Sequence, residues 1–225
     1  MKTVDLTLTI YEGMPCFPVA WYPKPEFEHV LNPDTDPSGS HRYASKTLLF
    51  CHGGTHLDAP MHFNYGTEAT IDKVPMDVLI GQTIWVHLPD KKNLDPITDQ
   101  DLEEATKGVS LEGKRLLITT GYTDNNWGKD DYFSVSPYLD PSSGKWMVEK
   151  KISMVAIDFQ TDKPGDATFP VHNILLEEGI YILEYISNVG ELSAQGLGKE
   201  FLMVVAPLKL KGLEASTARV FAIQQ

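Results

Sequence analysis

The sequence has 225 residues, of which 42% are hydrophobic and 22% charged, and this is typical of one globular domain over residues 1–225. Its formal net charge of −12, without any cluster of Lys and Arg, excludes a nucleic-acid-binding face. No apolar run approaches the ~18 residues of a membrane-spanning helix, and the polar–apolar alternation of the N-terminus differs from a signal peptide. Cys16 and Cys51 are too few for a disulfide framework, so we expect a cytoplasmic protein. From the charge and the lack of a long apolar run, we expect neither nucleic-acid nor membrane partners.

Short runs rich in β-branched, aromatic and aliphatic residues predict strands along most of the chain. In chain order these runs cover residues 46–51, 82–88, 115–120, 153–159, 179–186, 201–207 and 217–223. Helix signals lie between several of them, and they predict helices over residues 99–106, 141–150 and 170–178. The mixture predicts an α/β or α+β fold, with helices that flank a mixed sheet.

Two segments lack any sustained periodicity. Residues 21–42 contain four prolines and the run NPDTDPSGS, with aromatic residues between them, and we predict a long ordered loop or lid. Residues 123–131 are polar and rich in turn-forming residues around Trp127, and they predict a second loop.

The most informative part of the sequence is the run HGGTHLDAPMH, which places His52, His56, Asp58 and His62 within eleven residues. Two adjacent glycines and a proline exclude a helix there. All four residues have even numbers, so an extended backbone projects them to one face, with the position of His52 the least constrained. Four such polar groups cannot join an apolar core without a large desolvation cost.

These residue types indicate a metal site. Imidazole and carboxylate ligands without thiolate suit Zn²⁺, with Mn²⁺ as the alternative. The competing interpretation is that these are ordinary surface histidines on a polar edge strand. The placement of three histidines and one aspartate on the same face of the backbone favours a common metal ion instead. Three protein ligands, His52, His56 and Asp58, leave one coordination position open for water, as a catalytic site requires.

The same run carries a resemblance. It matches the His-x-Gly-Thr-His-x-Asp-x-Pro-x-His signature of the metal-dependent cyclase family, which includes bacterial kynurenine formamidases and isatin hydrolases. Residues 13–18, 156–158, 172–188 and 206–223 are similar to further blocks of that family, so the resemblance covers nearly the whole chain. It implies a swivelling β/β/α fold and a homodimer or homotetramer.

The resemblance also implies roles for individual residues. His52, His56 and Asp58 match the ligands of a first metal, and His62 matches the catalytic histidine. His172 and Glu184 match the ligands of a second metal, with Asp58 as the bridging carboxylate. Independently, a charge at position 184 inside the apolar run IYILEYI is costly unless it is paired.

Together these assignments predict a hydrolase with one or two Zn²⁺ ions, or Mn²⁺, that cleaves a small amide, formamide, lactam or ester. The metal would lower the pKa of its bound water from 15.7 toward ~7 and so provide hydroxide. His62 would transfer the proton to the leaving group. Four aromatic residues are predicted to line the substrate pocket: Trp21, Tyr22, Phe63 and Trp127.

Three weaker candidates support the site rather than form it. Thr55 is predicted to order the ligand loop through its hydroxyl. Asp158 and Asp162 resemble the family's acidic strand-end block, where an acidic group either orients a metal ligand or satisfies the following loop.

Three stretches depart from the kynurenine formamidase branch, and one of them is a longer loop over residues 34–40. Phe159-Gln160-Thr161 replaces a Ser-Pro-Ser type run, and Asn173 follows His172 where that branch has a second histidine. These departures leave open another carbonyl substrate, such as a lactam, lactone or ester. They also leave open cyclase or dehydratase chemistry with the metal as Lewis acid, and a non-catalytic module that binds a metal or small ligand. His62 argues against the last, because sequestration needs no proton-transfer group.

Overall fold

The computed structural model describes residues 1–63, 65–66 and 68–224. The strands are β1 Lys2–Asp5, β2 Glu26–Leu31, β3 Ala44–Leu48, β4 His56–Asp58, β5 Ile80–His87, β6 Pro96–Ile97, β7 Arg115–Thr119, β8 Tyr138–Leu139, β9 Met154–Ile157, β10 Tyr181–Glu184, β11 Glu200–Pro207 and β12 Ala215–Gln224. The α-helices are α1 Met76–Leu79, α2 Asp99–Ala105, α3 Tyr122–Asn126, α4 Pro141–Glu149, α5 Pro170–Glu177 and α6 Val189–Ala194. None of these helices has the length and apolar character that crossing a bilayer requires.

Eight strands form the main sheet in the order β1-β12-β11-β5-β7-β9-β10-β4. Strands β5, β7, β9 and β10 run parallel, while β4, β11 and β12 pair antiparallel with their neighbours. Because β4 also pairs with β12, the strands from β12 to β4 close into a ring, and β1 extends it from β12. The predicted α/β fold with a mixed sheet and flanking helices is confirmed.

Alternate residues of the ring strands enter two separate apolar cores. Leu117 and Leu183 belong to one core, while Leu116 and Ile118 belong to the other. The second core also holds buried side chains of α2, α4 and α5, such as Leu175, so it lies between the sheet and the helices. The first core therefore fills the ring. Burying each leucine contributes about 1.5–3 kcal/mol before entropy is subtracted.

The local signals for the helices agree with their boundaries. Thr98 begins α2 through a reciprocal capping box with Asp101, which satisfies two backbone N–H groups. The Asp140 carboxylate accepts a hydrogen bond from the Ser142 backbone N–H at 2.9 Å and begins α4.

Both predicted loops contain regular structure. Residues 21–42 include strand β2, which pairs with β3, and the strand predicted over 46–51 ends at Leu48. Residues 123–131 overlap helix α3. The prediction failed at β2 because almost every residue of that strand is exposed, so no alternation of buried and exposed side chains marks it.

Candidate metal centre

Strand β4 carries two of the predicted ligands on one face. His56 and Asp58 point away from the ring interior, whereas Leu57 between them is buried in the core that fills the ring. In the antiparallel register, His56 is paired with Glu184 of β10. Two strands therefore bring three metal-competent side chains together, although 128 positions of the sequence separate His56 from Glu184.

His52 and His62, the other two residues of the run, lie outside strand β4 and reach the cluster from turns. His52 lies in a turn, and Gly54 after it adopts a left-handed backbone with φ of 66°. His62 lies in the 3-10 helix Pro60–Phe63. The predicted extended backbone from 52 to 62 is therefore wrong outside β4, because the glycines redirect the chain before the strand and Pro60 starts a turn after it.

The ligand atoms of the first predicted set are close neighbours. Asp58 Oδ1 lies 2.9 Å from His52 Nδ1 and 3.4 Å from His56 Nε2. Glu184 Oε2 lies 3.6 Å from His56 Nε2. Two ligand atoms bound ~2.1 Å from one tetrahedral Zn²⁺ stand about 3.4 Å apart, so these separations suit a shared ion.

His172 approaches from helix α5 on the other side of the same carboxylate. Its Nε2 lies 3.8 Å from Asp58 Oδ2 and 3.7 Å from Glu184 Oε1. Its Nδ1 is 2.5 Å from Asp162 Oδ2, which orients the ring with Nε2 toward the cluster. Asp58 thus faces the first ligand set with one oxygen and His172 with the other.

The buried polar atoms of this cluster fit a divalent cation. His56 Nε2 and both oxygens of Asp58 are buried and find no hydrogen-bond partner among the described residues. His56 Nδ1 donates to the Gly54 carbonyl at 2.9 Å, so Nε2 carries the free lone pair. An uncompensated buried carboxylate costs several kcal/mol, and a cation bound by these atoms removes that cost.

The electrostatics of the cluster favour positive charge at its centre. Burial alone would raise the pKa of Asp58, but His56 and His52 hold that pKa well below its usual value. Burial opposes protonation of His52, yet Asp58 and Glu214 raise its pKa to about 10. The carboxylates that cause these shifts would also attract a metal cation, which must displace the proton from any histidine nitrogen that it binds.

His62 differs from its neighbours in charge state. Burial is the largest cause and lowers the pKa of His62 to about 4. The charges of His52 and His172 act in the same direction, and the attraction of Asp58 offsets these effects only in part. Its ring centroid is 4.1 Å from that of His52. Candidate ligand atoms of Asp58, His62 and His172 also lie within 4.8 Å of one another, so the geometry allows either proton transfer or ligation by His62.

A cavity of about 400 Å³ opens above the cluster. Residues 160–167 form part of its wall, and the metal-competent residues lie in its surface. Its aromatic lining consists of Phe17, Trp21, Tyr22, Phe50, Phe63, Phe169 and Tyr185. Trp21, Tyr22 and Phe63 were predicted for this lining. The other four were not, because their positions become adjacent only when the chain folds.

Trp127, also predicted for the pocket, is not among its lining residues in the described chain. It follows helix α3 and packs against the apolar core between sheet and helices, 4.9 Å from the ring of Tyr132. This placement differs from the predicted one because the polar sequence around Trp127 conceals a short helix, after which the indole points toward the core.

The weaker candidates divide into two structural roles. The Thr55 hydroxyl donates to the Tyr185 carbonyl at 2.7 Å and accepts from the Leu8 N–H at 2.8 Å, which ties the ligand run to two other segments. Asp162 orients His172, as described above. Asp158 instead accepts hydrogen bonds from the backbone of Thr120 and Gly121, so it satisfies the loop before α3.

Comparison with known proteins places this geometry in a family. A profile described as "Putative cyclase" matches residues 4–163, which is more than half of the chain. The chain belongs to the cyclase family. This cyclase-family protein is 30% identical over 202 residues to kynurenine formamidase from Bacillus cereus, a match that covers 88% of each chain.

Solved structures resemble this cyclase-family protein over almost its whole length. One described as a potential metal-dependent hydrolase with cyclase activity has a TM-score of 0.77 and 26% identity, covering 98% of this chain and 96% of the other. Isatin hydrolase A from Labrenzia aggregata bound to benzyl benzoate has a TM-score of 0.84 and 23% identity, covering 98% and 93% respectively. The second likeness supports the fold alone.

Proposed function

We propose that this cyclase-family protein is a metal-dependent hydrolase that cleaves a small aromatic formamide, lactam or ester. The observation that carries the proposal is the buried Asp58 carboxylate, whose oxygens lack partners among the described residues while His52, His56 and His172 surround them. The cluster lies in the wall of an aromatic cavity, where such a substrate fits. The formamidase relative and the metal-dependent hydrolase structure support the same reaction class.

The donor set suits Zn²⁺ or Mn²⁺. His52, His56 and Asp58 would hold one ion, and His172 and Glu184 a second, with Asp58 shared between them. When bound, such an ion supplies Lewis acidity and a water that ionises near neutral pH.

The chain's own residues supply proton transfer and positioning. His62 is neutral at pH 7 because its pKa is near 4, so it can accept a proton from water and return it to the leaving nitrogen or oxygen. Asp162 keeps His172 in one orientation, and the hydroxyl of Thr161 donates to Glu184. Phe63, whose ring stacks on His172 at 5.2 Å, joins the aromatic wall that excludes water around the bound substrate.

Metal removal tests the proposal directly. We expect the purified protein to contain Zn²⁺ or Mn²⁺ and to hydrolyse N-formylkynurenine, isatin or a simple aryl ester. Treatment with a chelator should reduce the rate by ~100-fold or more, because the ion supplies both the activated water and charge stabilisation. Metal content by mass spectrometry and initial rates before and after metal is restored provide the measurement. A metal-replete sample that turns over none of these compounds would instead support a binding module.

We propose further that the chain is one cytoplasmic catalytic domain that associates with copies of itself. Both cysteines are free, as a reducing compartment favours. Strands β2 and β3 pair only with each other among the described strands and are almost fully exposed. An isolated two-stranded hairpin is marginal in water. Phe27, Val30 and Tyr43, the apolar side chains in and beside this hairpin, are 41%, 55% and 67% exposed. We propose that a second copy of the chain packs against them.

Replacing Val30 with Lys should weaken this association, because it would place a charge in the interface between the two copies. Light scattering should show a multiple of the chain mass for the parent protein and a shift toward one chain for the variant. The matched control is Val109→Lys at another exposed valine outside the hairpin. A parent protein that scatters as a single chain would contradict the proposed oligomer.

A further inference from the structure

The two nitrogens of His52 have different neighbours. Nδ1 faces Asp58 Oδ1 at 2.9 Å, without alignment for a hydrogen bond. Nε2 lies in hydrogen-bond contact with Glu214 Oε1 at 3.2 Å. Turning the ring over would present two carbons to the carboxylates and lose both contacts.

His56 is held in the opposite sense. Its Nδ1 donates to the Gly54 carbonyl, so its Nε2 faces Asp58 and Glu184. A neutral imidazole binds a metal through whichever nitrogen the other hydrogen bond leaves free. The two histidines of one short run therefore present different nitrogens to the same oxygen of Asp58.

We infer that His52 binds the metal through Nδ1 and that Glu214 is the positioning residue that fixes this choice by accepting the Nε2 proton. The inference rests on the proposed metal site and adds which atom binds and what orients it. Among the described residues, the Glu214 side chain hydrogen-bonds to His52 and to no other member of the ligand set, so it acts through His52.

The backbone holds Glu214 in place for this role. Its carbonyl accepts a hydrogen bond from the Ala59 N–H at 2.9 Å, directly after strand β4. The next residue, Ala215, is paired with Asp58. The backbone at Glu214 is therefore fixed next to strand β4, which carries the ligands His56 and Asp58, although 162 positions separate Glu214 from His52.

The direct test is the long-range ¹H–¹⁵N spectrum of the full chain loaded with Zn²⁺ alone. We expect the His52 ring to show a metal-bound Nδ1 and a protonated Nε2, and His56 to show the reverse pattern. The spectrum requires no substrate and no turnover. A His52 ring bound through Nε2 would overturn the inference while leaving the metal site intact, whereas failure to take up Zn²⁺ would overturn both the inference and the proposed function.

Variants of Glu214 measure the strength of the effect. Glu214→Ala should weaken Zn²⁺ affinity about 10- to 100-fold, the usual cost of losing such a partner. Glu214→Gln keeps an oxygen acceptor, so it should preserve the His52 nitrogen pattern and recover part of that affinity. Glu200→Gln, which alters another glutamate paired with Lys114, is the matched control and should leave affinity unchanged. Zn²⁺ affinity within twofold of the parent in both Glu214 variants would overturn the positioning role.

Discussion

Asp58→Asn is expected to abolish metal binding and to reduce hydrolysis to background. Both oxygens of Asp58 face histidine nitrogens, so this carboxylate supplies the central negative charge of both proposed ion sites. An amide keeps the shape of the side chain but removes that charge. Because ligand binding stabilises only the folded state, by about 4 kcal/mol at 1,000 times Kd, added Zn²⁺ should raise Tm in the parent protein and not in the variant.

Asp158→Asn provides a matched control for that experiment. Asp158 is equally buried but hydrogen-bonds the Thr120 and Gly121 backbone instead of facing the histidines. Both of its oxygens accept backbone N–H groups and an amide keeps only one acceptor oxygen, so this variant should be less stable than the parent protein before any metal is added. This variant should keep metal-dependent stabilisation. If Asp58→Asn retained normal metal content, the proposed centre would be wrong.

His62→Ala is expected to reduce kcat by about 10²- to 10⁴-fold while metal content stays near that of the parent protein. The reason is that His62 is neutral at pH 7 and adjoins the ligand set, which suits proton transfer. Metal analysis and steady-state rates on the same preparation separate the two effects. His87→Ala is the control, since His87 contacts Thr119 and does not line the cavity in the described chain.

The competing outcome is informative. Loss of one metal equivalent in His62→Ala would make His62 a ligand of the second ion beside His172, as their spacing around Asp58 allows. In that case the proton-transfer role would have to pass to another group, and the predicted assignment of His62 would be incorrect.

Strands β7 and β9 of the closed ring were predictable because every residue in them is buried. Their central residues form apolar runs, and such a run can be recognised without knowledge of the neighbouring strands. The hairpin of β2 and β3 has no such pattern, since its residues are mostly exposed. Periodicity therefore reports burial, and an element that buries little remains hidden.

The metal centre was predictable in composition but only partly in geometry. The even spacing of the run placed its four polar residues on one side, yet only His56 and Asp58 lie on a strand. His52 and His62 reach the cluster through turns. Glu184 joins it because β10 pairs with β4, and Glu214 because β12 does. Such contacts depend on strand pairing, which no local pattern encodes.

The three-residue strand β4 has hydrogen-bonded neighbours on both edges, whereas much of the cavity wall consists of connecting segments such as 160–167. Fixed ligands and an adaptable rim are thus physically separable parts of one molecule. Substitutions in the rim can reshape the entrance and redirect the choice of acyl compound while the ion-holding framework keeps its dimensions. A scaffold divided in this way is suited to acquiring new substrates without rebuilding its chemistry.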